Sequence, residues 1–233
     1  MRFDKEMIYR EIRNKVPGIY ELRILSTDFF NTKLSAYFDR DEPDAVIDQM
    51  LNWRYPPNCN VNLYLTSNPV KEYCRSREQF NNLRKAKVMT TDDDIESLTW
   101  LALDVDPIHP AGTSATDDEV AEAKKQAMAV YKHMAAEGFT NPEIVFSGNG
   151  YHLKYRIDYP NDTEHRIKLA GVIDSLHARF PLIDQAAKNP SRILKLPGTL
   201  AMKGRDTEER PHRMSYIIRD PGPIGTEASE HGK

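Results

Sequence analysis

Apolar and polar residues follow one another in two rhythms along this chain. A period of two marks residues 19–25, 34–38 and 61–65, where alternate side chains point to opposite faces of an extended strand. Helical spacing marks other stretches. Met7, Ile8 and Ile12 share one side of a helix expected within residues 1–18, which ends at Pro17-Gly18. Val46, Ile47, Met50 and Leu51 do the same over residues 41–53, with Pro43 tolerated in the first turn. A capping-box pattern, Thr116 with Glu119, opens a longer helix whose apolar stripe runs from Val120 to Met134 and ends at Gly138. Strands are expected over residues 142–146 and 151–157, and a helix over 163–180 with Ile167, Ala170, Ile173 and Leu176 inward. A short strand is expected at 182–184 and a late one at 216–218. Residues 71–94 are polar and basic, a loop or short helix on this pattern, and the tail from Pro221 is polar.

One strand breaks the rule that an apolar run ends in turn residues. Trp100, Leu101, Ala102 and Leu103 run straight into Asp104-Val105-Asp106, and Pro107 stops them. On a strand Asp104 and Asp106 share a face while Val105 points into the core. Two adjacent carboxylates repel unless a cation neutralises them or one takes a proton. A hard divalent cation such as Mg²⁺ suits such oxygens. An EF-hand starting at Asp104 is excluded, because His109 stands where glycine is required and Ala115 where glutamate is required.

Composition narrows the class. The chain has 233 residues with 39% hydrophobic and 29% charged content, as in a globular protein with one large domain or two small modules sharing a cleft. No apolar stretch reaches membrane-spanning length, and the charged start has no signal-peptide core, so a cytoplasmic location is expected. Cys59 and Cys74 form no Cys-x-x-Cys pair, so no zinc ribbon or disulfide framework is expected. A net charge of −3 means that any nucleic-acid contact needs a local basic surface.

Two further stretches carry candidate chemistry. Ser147-Gly148-Asn149-Gly150-Tyr151-His152 reads as a hairpin whose glycines can turn backbone N–H groups towards one point, an anion cradle. His152, Lys154 and Arg156 then share one face of the outgoing strand. It is not a dinucleotide fingerprint, since Leu153 stands at the last glycine position, and no Walker-type loop occurs. Further on, Asp184 follows apolar residues as Asp104 does, a candidate third carboxylate. Arg192, Lys195 and Lys203 follow it in a locally basic run over residues 188–213. Beside three carboxylates, such a run points to a triphosphate or a nucleic-acid backbone.

Asp-Val-Asp at 104–106, Ser-Gly-Asn-Gly-Tyr-His at 147–152, Ile-Asp at 183–184 and Asn-Pro-Ser-Arg-Ile-Leu-Lys-Leu-Pro-Gly-Thr at 189–199, in this order, resemble the archaeo-eukaryotic primase superfamily. The likeness is to the primase-polymerase domains of plasmids, phages and CRISPR-associated loci, and it covers about residues 19–216. It implies an α+β fold: an RRM-like antiparallel sheet with packed helices beside an N-terminal α/β module, with the active site in the cleft. The corresponding division is 1–98, 99–205 and a closing strand and tail at 206–233, all in one catalytic domain. It implies that Asp104, Asp106 and Asp184 hold two Mg²⁺ or Mn²⁺ ions. Ser147 and His152, with Gly148, Asn149 and Gly150 between them, would bind the incoming nucleotide's phosphates. Arg192 would contact the triphosphate with help from Lys195 or Lys203. The implied reaction is template-directed nucleotidyl transfer, making and extending primers on single-stranded or primed DNA from nucleoside triphosphates, alongside a fused or separate helicase or accessory domain. Primer-free initiation would need a second triphosphate, for which Lys154 and Arg156 are the further expected cations. Two other classes fit parts of the pattern: a metal-dependent nuclease or phosphohydrolase, and a non-catalytic module binding single strands.

Overall fold

The computed structural model describes residues 2–26, 33–55 and 59–221. The expected tail from Pro221 lies almost wholly outside the described residues. The protein is α+β, with two antiparallel sheets whose facing sides enclose the candidate site.

The first sheet forms from the alternating strands β1 (Ile19–Ser26), β2 (Lys33–Asp39) and β3 (Val61–Thr66). One face carries Leu22, Ile24, Ala36, Phe38, Leu63 and Leu65, all buried. That face is covered by α1 (Lys5–Arg13), through Ile8 and Ile12, and by α2 (Asp44–Asn52), through Val46, Ile47 and Met50. The basic stretch 71–94 supplies a two-residue edge strand, β4 (Arg84–Lys85), and two 3₁₀ turns.

The second sheet is built on β5 (Ser97–Val105), followed by α3 (Asp117–Ala136), β6 (Glu143–Phe146), β7 (Tyr151–Pro160) and α4 (Thr163–Arg179). The capping box of α3 forms as expected: Glu119 N donates to Thr116 Oγ1, and Thr116 N donates to the Glu119 carboxylate. Ala123, Ala127, Val130 and Met134 of α3 and Ile173 and Leu176 of α4 pack on Leu101, Leu103, Val105 and Leu153. Val105 therefore points into this core, and Asp104 faces the other way.

Residues 182–184 are not the expected strand. Ile183 bridges Val105, Asp106 N donates to Leu182 O (3.0 Å) and Asp184 N donates to Asp104 O (2.7 Å). The chain then turns at once into a 3₁₀ segment, Gln185–Lys188, because the Asp184 side chain accepts from Ala186 N and caps it.

The strand β8 (Ile193–Lys195) is not among the expected elements. It returns from beyond the second sheet to pair with β3 in the first, giving the order β4-β2-β1-β3-β8. Two short strands, β9 (Leu200–Ala201) and β10 (Arg213–Met214), pair with each other, and β11 (Tyr216–Arg219) closes the second sheet in the order β11-β6-β7-β5. No helix among the described residues is long and apolar enough to cross a membrane.

Candidate active site

β5 and β7 deliver the first functional groups. Asp104 is directly opposite His152 in the ladder, so both side chains leave the sheet on the side away from α3 and α4. Asp106 follows one residue past the strand. Across the gap, β8 brings Lys195 opposite Tyr64 on β3. Together with Asn62, Leu25, Ser147, Asn149, Arg192 and Lys203, these residues line a cavity of about 290 Å³ between the two sheets.

Arg192 occupies the centre. Its Nη2 donates to Asp104 Oδ2 (2.8 Å) and to Asp184 Oδ2 (2.7 Å). Burial works against the guanidinium charge, but these two carboxylates overcome it and hold its pKa above the ordinary range. The 3₁₀ cap and this ion pair use different oxygens of Asp184, which is why one side chain can do both.

Several contacts fix Arg192 there. Ser67 N donates to Arg192 O (2.8 Å), and Asn68 Nδ2 donates to Pro190 O (3.0 Å). Asn68 Oδ1 also accepts from Thr99 N (2.8 Å), so one buried amide ties the end of β3 to the start of β5 and to the loop that carries Arg192.

The carboxylates differ. Asp104 Oδ1 is buried and accepts no hydrogen bond; the nearest donor is His152 Nε2 at 3.5 Å. Burial keeps the imidazole neutral by pushing its pKa down, against the pull of Asp104, so this contact is not an ion pair. Asp106 is pushed well above the carboxylate range, first by burial and then by the neighbouring Asp104 and Asp184. Lys195 is pushed down to about 7 by burial, with Lys203 adding repulsion. Its Nζ donates to Leu200 O (2.6 Å) and lies 5.6 Å from the Tyr64 ring centre.

Among the described residues no three His, Cys, Asp or Glu side chains already converge as a metal site. Arg192 stands between Asp104 and Asp184 instead. The donor set still suits a hard divalent cation: the groups are carboxylate oxygens, one of them is buried with no hydrogen-bond partner, and a neighbouring carboxyl is held towards its protonated form by burial and like charge.

The hairpin at 147–150 lines the cavity through Ser147 and Asn149. Its amides turn towards one point, as the glycines imply, but that point is internal: Asn149 N and Gly150 N face Ser147 Oγ at 3.4 and 3.0 Å. Asn149 Oδ1 accepts from Ala115 N (2.8 Å), which anchors the loop after Asp106. Gly150 is required by space, because a Cβ there would collide with Asp106 Oδ1 and with Val105 O. Gly148 has φ +104° and backs onto Ala201.

Lys154 corrects an expectation. It does share a strand face with His152, but it is buried away from the cavity, where its Nζ donates to both oxygens of Glu11 (2.7 and 3.0 Å) and pairs with Glu143. The Arg156 guanidinium lies over the Trp100 ring. Neither lines the cavity, so neither is placed to hold a second triphosphate there.

Asn62 and Leu25 are cavity residues that the sequence motifs do not single out, and Tyr64 enters them only as the first residue of the stretch 64–69 that carries part of the family likeness. A signal is present for Asn62 and Tyr64, because β3 alternates and only Val61, Leu63 and Leu65 are needed by the core.

No family model matches the chain, and no curated protein matches it. Solved structures do. The primase-polymerase domain of cyanophage S-2L aligns with a TM-score of 0.52 at 14% identity, over 94% of this chain and 92% of that one. The primase RepB' aligns with a TM-score of 0.50 at 11% identity, over 93% of this chain. This chain spans only 56% of the RepB' structure. The fold is of the archaeo-eukaryotic primase type.

Proposed function

We propose that this chain is a template-directed nucleotidyltransferase, a primase-polymerase that extends, and with a suitable partner starts, a nucleic-acid chain from nucleoside triphosphates. The observation that carries the reading is the Asp104–Arg192–Asp184 bridge beside the raised Asp106 carboxyl. Asp104, Asp106 and Arg192 line a cavity beside His152, and Lys195 and Lys203 line it as well. Carboxylates on one wall and cations on the other are what a magnesium- or manganese-dependent reaction of a polyphosphate requires.

In this reading a 3′-hydroxyl attacks the α-phosphorus, a new phosphodiester forms, and the bond to the bridging oxygen breaks so that pyrophosphate leaves. Asp104, Asp106 and Asp184 would hold the divalent ions. When bound, these ions supply Lewis-acid stabilisation of the attacking and leaving oxygens. Arg192 and a cation would compete for the carboxylates of Asp104 and Asp184, and a guanidinium released from them would be free to meet the triphosphate. Lys195 and Lys203 neutralise the outer phosphates. Neutral His152 donates a hydrogen bond to phosphate rather than a charge, in keeping with its lowered pKa. Ser147 accepts from the turn amides of Asn149 and Gly150, a supporting role for the hairpin rather than a backbone anion cradle.

The test supplies a primed single-stranded template, labelled NTPs or dNTPs, and Mg²⁺ or Mn²⁺, and follows products on a gel. Chain growth with release of pyrophosphate is expected. Degradation of the oligonucleotide without growth would replace this reading with a nuclease.

A further inference from the structure

The polar face of the first sheet continues beyond the cavity. Lys195, Tyr64, Arg23, Ser35 and Arg84 are ladder partners in succession across β8, β3, β1, β2 and β4, so all five lie on the face opposite the core. One pleat further along, Asn62, Leu25 and Lys33 form a second row on the same face. Its first two members already line the cavity.

The two rows differ in exposure. Residues 88–90 cross over the first row: Arg23 donates to Thr90 O (2.9 Å), and Thr90 N donates to the buried Glu21 (3.1 Å). Along the second row Asn62 and Leu25 are half-buried and Lys33 is exposed. At the outer end Arg84 and Lys87 share a single carboxylate, Glu78, at 3.1 and 3.9 Å. On this rim Arg23 pairs with Glu21, Arg84 and Lys87 pair with Glu78, and Lys33 is exposed, in a chain that is acidic overall.

We propose that this second row is the path of a single-stranded nucleic acid running from the cavity to the β4 edge. The phosphates lie along Lys33, Arg84 and Lys87, and an unpaired base rests against Leu25 and Tyr64. Three interstrand spacings of about 4.8 Å, from β3 to β4, give a path of roughly 14 Å. The chemistry is a basic track with an aromatic and an apolar contact at its inner end, which suits a strand whose bases are free to stack. A duplex hides those base faces. The proposal rests on the nucleotidyl-transfer reading only for its direction: the strand entering the cavity is the template.

The experiment measures fluorescence anisotropy of labelled oligo-dT and oligo-U against the full chain, without triphosphate or metal, over a range of salt. Lys33→Glu/Lys87→Glu is compared with the wild type and with Lys124→Glu/Lys132→Glu, which reverses two exposed charges on α3. Binding of a non-hydrolysable triphosphate with Mn²⁺ is measured in parallel. The expected result is about tenfold or greater loss of oligonucleotide affinity in the track variant. Its salt slope should fall by roughly 1.4, since two contacts contribute about 0.7 each, while triphosphate affinity stays unchanged. Equal affinity for wild type and track variant, an equal loss in the α3 variant, or no oligonucleotide binding by the wild type at low salt would each overturn the track. Triphosphate binding in those cases leaves the nucleotidyl-transfer reading standing; its absence removes that as well. Tighter binding of one oligonucleotide type tells a DNA template from an RNA one.

Discussion

Two buried groups of charges flank β7, fed by residues two positions apart on the same face. At Lys154 the group is closed. Glu11, Lys15, Glu143 and Lys154 are all almost wholly buried and pair among themselves, with Asn14 Nδ2 donating to Glu143 Oε2 (2.8 Å) and Lys15 Nζ donating to Thr66 O (3.1 Å). At His152 the group is open. One arginine bridges two of its three carboxylates, Asp104 and Asp184, a neutral imidazole and two cations lie nearby, and one Asp104 oxygen accepts nothing. The closed group shows how this fold buries charge for structure: acids and bases are matched, and they clamp α1 onto the second sheet. In the open group the remaining countercharge has to come from outside, which is the mark of a binding site.

The titration directions show the same contrast. Burial alone would raise Glu11, yet Lys154 and Lys15 pull it to the bottom of the carboxylate range, and Glu143 is raised by burial and by Glu11. In the open group the raised carboxyl, Asp106, has no direct ion pair among the described residues, and Lys203 only partly offsets its rise.

The largest effect expected on stability is at Lys154. Lys154→Ala leaves Glu11 and Glu143 buried with too little countercharge and should cost about 3–5 kcal/mol in urea unfolding. A cost below about 1 kcal/mol would mean that the closed group is not a clamp.

Asp106→Asn should do the reverse. It should abolish chain extension, on the order of 10²–10³-fold or more, while stabilising the metal-free protein. The sign follows from linkage. A carboxyl with a raised folded pKa contributes its stability below the ordinary value of 3.8, and that contribution is lost as the pH rises through the raised value. Asparagine carries no such loss, so the variant should be the more stable at pH 8 and about equal to wild type at pH 3. A variant less stable than the wild type at pH 8 would erase the distinction between the two groups.

Arg192→Gln separates the roles of the bridge. Losing a charge-assisted contact should weaken triphosphate binding by roughly 1.5–3 kcal/mol, tenfold or more. The same change should raise Mn²⁺ affinity measured by electron paramagnetic resonance without nucleotide, because the competitor for Asp104 and Asp184 is gone. Weaker Mn²⁺ binding would show that Arg192 organises the carboxylates instead of shielding them.

The smallest effect is at Lys195. Its folded pKa of about 7 lies below the ordinary 10.5, so the protonated ammonium costs stability, fully below about 7 and less as the pH rises towards 10.5. Lys195→Met should therefore raise the melting temperature at pH 6, with the gain shrinking by pH 9. It should also remove the decline in triphosphate affinity expected of the wild type above pH 7. A gain in melting temperature that does not change with pH would count against the buried ammonium.

Local rhythm alone determines much of this molecule. The strands β1, β3, β5 and β7, the capping box of α3, and the placement of Asp104 and Asp106 opposite Val105 all follow from spacing within a few residues, which is the range over which backbone geometry acts. The glycine turn before His152 is legible for the same reason, although its amides close on Ser147 rather than on the cavity. Spacing cannot reveal which charges meet. Lys154 and His152 are equivalent on the strand, yet Lys154 finds Glu11, 143 residues away, and closes, while Asp104 finds Arg192, 88 residues away, and stays open. The three-residue β8 carries too little pattern to be recognised alone, and only its return to pair with β3 sets Lys195 opposite Tyr64 and completes the cavity wall. Period decides which face a side chain takes; topology decides what that face meets.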